Sequence, residues 1–168
     1  AFALIKRITI DFVRTEMGKI IVRGWAADMD VPNEPIDVHI YAICDGVREG
    51  IGILKADIYR PDVHAQNSNI NEYHGFEATI NTNLTGDVQI EAYGINVGSG
   101  GNSMLEDSPQ MISVPKDTIA PTISNVMVTD LSASGYTVTC NIEDNVEVSR
   151  VRFATWTEQN GQDDIIWS

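Results

Sequence analysis

The sequence predicts an all-β protein: an immunoglobulin-like β-sandwich followed by an incomplete second β-sandwich module. Three observations predict it. Apolar residues recur at every second position, and no long run repeats at helical spacing. Turn residues interrupt these runs at short intervals, at Met17-Gly18, Pro32-Asn33, Asp45-Gly46, Thr85-Gly86, Gly98 through Gly101 and Ser134-Gly135. Finally, 168 residues is enough for one sandwich of ordinary size with a remainder too short for a second.

The alternation is clearest where Tyr136, Val138, Cys140 and Ile142 interleave with Thr137, Thr139 and Asn141. Phe76, Ala78 and Ile80 repeat the pattern, as do Val88, Ile90 and Ala92. Within residues 1–115 this gives strands near 6–13, 19–26, 36–44, 51–58, 75–81, 87–96 and 110–114, the strand number of an immunoglobulin-like sandwich. Pro115 and Pro121 bracket a short stiff linker at 116–121, since neither helix nor central strand tolerates them. A second series follows within 122–168, near 122–130, 136–143, 148–156 and 163–167. That is about half of a sandwich. Its apolar face is therefore expected to be covered from outside, by strands beyond this sequence or by strand exchange with another copy.

Composition narrows the function classes. Eleven Lys+Arg against 24 Asp+Glu leave a formal charge of -13, which opposes binding to nucleic acid or to an anionic membrane surface. No stretch approaches the roughly 18 apolar residues that span a bilayer, so membrane insertion is not expected. Cys44 and Cys140 lie in separate apolar runs and are expected to stay reduced, packing as small hydrophobes.

The residues from Asp117 onward resemble the Bsp-like repeat of Gram-positive surface proteins. The segments that carry the resemblance are Asp117-Thr118-Ile119-Ala120-Pro121-Thr122-Ile123-Ser124, Gly135-Tyr136-Thr137-Val138, Asp144-Asn145, Val148-Ser149-Arg150-Val151-Arg152-Phe153 and the polar-aromatic string from Trp156 to Trp167. Glu147 stands where that pattern has a glycine. Gly24-Trp25-Ala26-Ala27-Asp28, Arg60-Pro61-Asp62-Val63 and His74-Gly75-Phe76 are similar to β-sandwich modules beside wall hydrolases. The resemblance implies an extracellular, wall-associated accessory module with neighbouring domains in the same protein. Its ligand would be cell-wall polysaccharide or host glycan.

In a seven-strand Greek key, alternate connections fall at one end. Here these are 27–35, 59–74 and 97–109, the three longest, and they gather Asp28, Asp30, Asn33, Glu34, Arg60, Asp62, His64, Asn67, Asn69, Tyr73, His74 and Asn102. Long polar loops on a rigid scaffold are a common binding site, so Asp28, Asp30, Arg60, Asp62, His64, Tyr73 and His74 are the ligand-binding candidates. Exposed Tyr73, Tyr59 or a tryptophan would mark a carbohydrate surface. Calcium is the candidate ion, with oxygen ligands from Asp117, Glu143, Asp144 and Asn145 near the linker and a lesser pair at Asp28 and Asp30. Trp25 and Trp156, each closing a strand, read as core anchors.

Catalysis lacks a context. The three histidines are His39 in a strand and His64 and His74 in one loop, without a Gly-x-Ser-x-Gly elbow, a His-Glu-x-x-His pair or a phosphate-binding glycine loop. The expected role is non-catalytic, a spacer or adhesion module requiring no cofactor.

Overall fold

The computed structural model describes residues 8–98, 100–159 and 161–168. The chain divides into two compact units, Ala1–Asp117 and Thr118–Ser168. The regular structure of both is almost wholly antiparallel strand.

The first unit runs β1 (Ile8–Glu16), β2 (Lys19–Ala26), β3 (Asp37–Cys44), β4 (Val47–Lys55), β5 (Ile58–Tyr59), α1 (Pro61–Gln66), β6 (Tyr73–Asn81), β7 (Gly86–Gly94), β8 (Ser103–Met104) and β9 (Gln110–Val114). One sheet has the order β1-β2-β6-β5. The other has the order β4-β3-β7-β8, with β9 also paired to β7. Val38, Ile40 and Ala42 of β3, Val88, Ile90 and Ala92 of β7, Ile20 and Val22 of β2 and Phe76 of β6 form one buried cluster. Each fully buried Ile or Val there stabilises the fold by about 1.5–3 kcal/mol. The intervening residues of the same strands point outward, which is the period-two pattern visible in the sequence.

The Asp45-Gly46 turn falls where the sequence places it, but the strand after it has other bounds than expected. The β3–β4 connection is a two-residue turn with positive φ at Asp45 (51°) and Gly46 (78°), so the ladder resumes at Val47 opposite Cys44. The strand expected at 51–58 therefore begins earlier and ends at Lys55, because Ala56 turns into the core and donates its amide to Ile36. Likewise β1 runs on to Glu16, and the start of the strand expected from residue 6 lies outside the described residues.

Helix α1 was not expected. It is one and a half turns long, opens with Pro61 at its first position, and buries only Val63. So short an element shows no helical period. Val63 joins Ala27 and Ile70, with Trp25 and Met29 beside them, in a small second core under the 59–74 connection.

The second unit consists of β10 (Thr122–Ser132), β11 (Gly135–Glu143), β12 (Ala154–Thr155) and β13 (Ile166–Trp167), with a 3-10 turn at Gly161–Asp164. β10 pairs only with β11 and β12 only with β13. The strands expected at 148–156 and 163–167 thus shrink to two residues each. Val151 and Phe153 keep the spacing of one strand face while Val148 is out of step with them, and so short a run needs a neighbouring ladder to become a strand. Apolar residues of the hairpin, Ile123, Val126, Val128 and Leu131, stand exposed, with no layer packed over them among the described residues. Trp156 is half exposed for the same reason, which corrects its expected role as a core anchor.

Candidate functional site

Hydrogen bonds tie the three long connections of the first unit together. Val97 donates its amide to Asp28 Oδ2 (2.8 Å), linking 97–109 to 27–35. Asn71 Nδ2 donates to the Asn33 carbonyl (2.7 Å) and His74 Nε2 to that of Pro32 (3.0 Å), linking 59–74 to the same segment.

The seven ligand-binding candidates separate into locks and surface. Asp28 is buried, and its other oxygen accepts the Asp30 amide at 2.9 Å. A carboxylate engaged by two amides in the interior is a loop clamp. Asp30 itself is exposed. His74 is fully buried, and desolvation holds its pKa below the ordinary 6.5 against the opposing effect of the Pro32 and Ala26 carbonyls. His64, on α1, donates Nδ1 to the Ile70 carbonyl (2.6 Å) and so closes the small core.

Arg60 is the centre of an ion-pair cluster. Its Nε and Nη2 bind Asp62 Oδ1 (2.8 Å) and Oδ2 (2.7 Å) as a fork, and Nη1 binds Asp11 Oδ2 (2.6 Å). The guanidinium lowers the Asp62 pKa to about 2, and the carboxylates push Arg60 further above its already high value. Asp11 also approaches Arg23 (3.7 Å), which reaches Glu77 (3.9 Å). Gly75 makes the arrangement sterically feasible. A β-carbon there would lie 2.6 Å from Arg60 Cγ and 3.0 Å from the Ile58 carbonyl.

Tyr73 is the one open aromatic among the seven. It pairs across the sheet with Tyr59 of β5, ring centroids 5.4 Å apart and planes tilted by 51°. Each ring is 52% exposed. The Tyr73 amide is fixed by Asn71 Oδ1 (2.8 Å), and the amide of Arg60, next to Tyr59, by the Glu72 carbonyl (2.6 Å).

A second tyrosine cluster was missed. On the outward face of β3 and β7, Tyr41 and Tyr93 meet edge to face at 5.8 Å. Arg48 lies 3.6 Å over the Tyr41 ring and binds Glu91 Oε2 at 2.9 Å. Gln89 and the Tyr93 hydroxyl also donate to Glu91. The alternation that sends Ile40 and Ile90 inward sends Tyr41, Gln89 and Glu91 outward, and pairing β3 with β7 would have predicted the cluster.

The calcium candidates Glu143, Asp144 and Asn145 follow one another at the end of β11. Asp144 Oδ1 accepts the Val146 amide (2.9 Å), closing a tight turn, while its Oδ2 is enclosed without a hydrogen bond. Asp117 belongs to the first unit. Among the described residues no three His, Cys, Asp or Glu side chains converge as metal ligands. Neither cysteine is in a disulfide. No helix among the described residues is long and apolar enough to cross a membrane.

No protein-family model matches this chain, and neither the curated proteins nor the solved structures contain a match.

Proposed function

We propose that the chain is a non-catalytic extracellular module of a bacterial cell-surface protein, serving as spacer or adhesion domain. Its first unit would be an immunoglobulin-like sandwich, and its second unit part of a Bsp-like module. The observation that carries this reading is how the reactive side chains are spent. Asp28, Arg60, His64 and His74, the groups a catalyst would draw on, hold loops and strands together instead of facing a cleft. Wall association rests on resemblance, chiefly that of residues 117–168.

The test uses labelled chain on two surfaces, purified Gram-positive sacculi and cultured epithelial cells, alongside a dye-release assay on the sacculi. Saturable retention on either surface without release is expected. Release of soluble fragments that stops in Asp62→Asn or His64→Ala would overturn the non-catalytic reading, and absence of retention on both surfaces would remove the adhesive role.

A second reading, an accessory carbohydrate-binding module that targets a wall hydrolase, is favoured by the paired open rings of Tyr59 and Tyr73. Calcium enters either reading only as a stiffener of the 116–121 linker. Melting in chelator and in millimolar calcium reads it directly, and an unmoved midpoint removes it.

A further inference from the structure

We infer that Tyr59 and Tyr73 form a saccharide-binding platform, and that its ligand is a neutral chain of equatorially substituted pyranoses. The inference deepens the carbohydrate-binding reading by naming its site and ligand class.

The two tyrosine pairs of the first unit make the choice between surfaces. A sugar ring binds an aromatic by laying its C–H face on the π-face, so the ring must be uncovered. Tyr41 does not meet this requirement. The Arg48 guanidinium occupies one face at 3.6 Å, and the ring meets Tyr93 edge to face, the Tyr93 hydroxyl being drawn to Glu91. Tyr59 and Tyr73 do meet it. Each is half exposed, and no cation–π contact or hydroxyl hydrogen bond engages either among the described residues.

Pre-organisation supports the same site. The backbone amides at Arg60 and Tyr73 are pinned by Glu72 and Asn71, and the two rings brace each other, so little side-chain freedom is left to lose on binding. The Asp62 carboxylate lies three residues from Tyr59 and is 57% exposed, with lone pairs beyond the Arg60 fork for sugar hydroxyls. Two rings tilted by 51° form a twisted platform, which suits neighbouring units of a twisted glycan chain better than one flat disc.

The ligand class follows from charge and shape. A chain of formal charge -13 repels polyanions such as glycosaminoglycans, and the platform's own charges, Arg60 with Asp62 and Asp11, leave no cation uncommitted. A pyranose whose substituents are all equatorial keeps its axial C–H groups clear on both faces, so it can stack on the rings in either orientation.

The test is calorimetry of the intact chain with cellohexaose, chitohexaose and a hyaluronan hexasaccharide. Binding to cellohexaose or chitohexaose and none to hyaluronan is expected; preference between the first two shows whether the N-acetyl group is read. Tyr59→Ala and Tyr73→Ala should each weaken binding about tenfold. Arg48→Ala, on the other sheet, should leave it unchanged. Both tyrosines are half exposed, so far-UV circular dichroism of these variants should match the parent chain.

Failure of both neutral probes, preference for hyaluronan, or affinity indifferent to both tyrosine substitutions would overturn the inference. Retention on sacculi or epithelial cells that survives Tyr59→Ala with Tyr73→Ala would overturn the saccharide platform while leaving the adhesion module standing.

Discussion

Replacing Asp28 by Ala separates a structural clamp from a ligand-binding carboxylate. The side chain is 1% exposed and accepts the amides of Asp30 at 2.9 Å and Val97 at 2.8 Å. Hydrogen bonds to a charged group contribute about 1.5–3 kcal/mol each. Asp30 and Val97 are themselves exposed, so water can reach part of the freed amides and the lower end applies. The expected loss for Asp28→Ala is about 3 kcal/mol, a fall in midpoint of roughly 10–15 °C for a unit of this size. Asp28→Asn should cost about 2 kcal/mol, because its new N–H₂ faces one of the amides. Thermal and urea melts by circular dichroism measure both. A loss below about 0.5 kcal/mol in Asp28→Ala would refute the clamp. If Asp28 held an ion instead, chelator would reproduce the loss in the unmodified chain, and no such shift is expected.

Gly75→Ala should destabilise by about 1–3 kcal/mol, since the new β-carbon would sit 2.6 Å from Arg60 Cγ and must displace that side chain or β5; urea unfolding measures it. His74 gives a pH signature. Its folded pKa lies below 6.5, so the unfolded chain binds the proton first; the stability His74 contributes is complete above pH 6.5 and lost as pH falls from there towards the folded value. Urea midpoints between pH 5 and 7.5 should decline on the acid side, and the decline should flatten in His74→Gln. At lower pH, Asp62 adds a loss as pH falls from its unfolded pKa of about 3.9 towards about 2, which Asp62→Asn should abolish. Both cysteines are free, so thiol titration in denaturant without reductant should find two equivalents, and reductant should leave the melt in place.

The all-β character was legible because it rests on local alternation. Val38-His39-Ile40-Tyr41-Ala42 shows which side each residue takes without knowledge of its partner strand. What alternation lacks is the partner. Val151 and Phe153 keep strand spacing as Val88, Ile90 and Ala92 do, yet only the latter find neighbours on both sides, at β3 and β9. Helix α1 was hidden by its length, and the end of β4 by Ala56, whose small apolar side chain gives no sign that the chain turns inward there. The site was half legible. Loop lengths correctly suggested that the 27–35, 59–74 and 97–109 connections meet, but not that Asp28 and His74 are buried where they meet. A polar residue in a loop reads as surface unless the backbone groups it must satisfy are known, and those belong to segments up to 69 residues away.

Which tyrosines remain available is decided by where each sheet's arginine lies. On the β3–β7 face, Gly50 of β4 stands opposite Tyr41 and leaves room beside the ring. Arg48, anchored by Glu91, then spreads over that ring and closes it. On the β6–β5 side, the absent side chain of Gly75 makes a trough. Arg60 lies in it, drawn by Asp11 and Asp62, and its stem approaches the backbone rather than the rings. The same residue type, steered by differently placed carboxylates and glycines, thus seals one tyrosine pair and leaves the other bare. Arg60, held by Asp11 and Asp62 at the Gly75 position, is thereby committed away from the Tyr59 and Tyr73 rings.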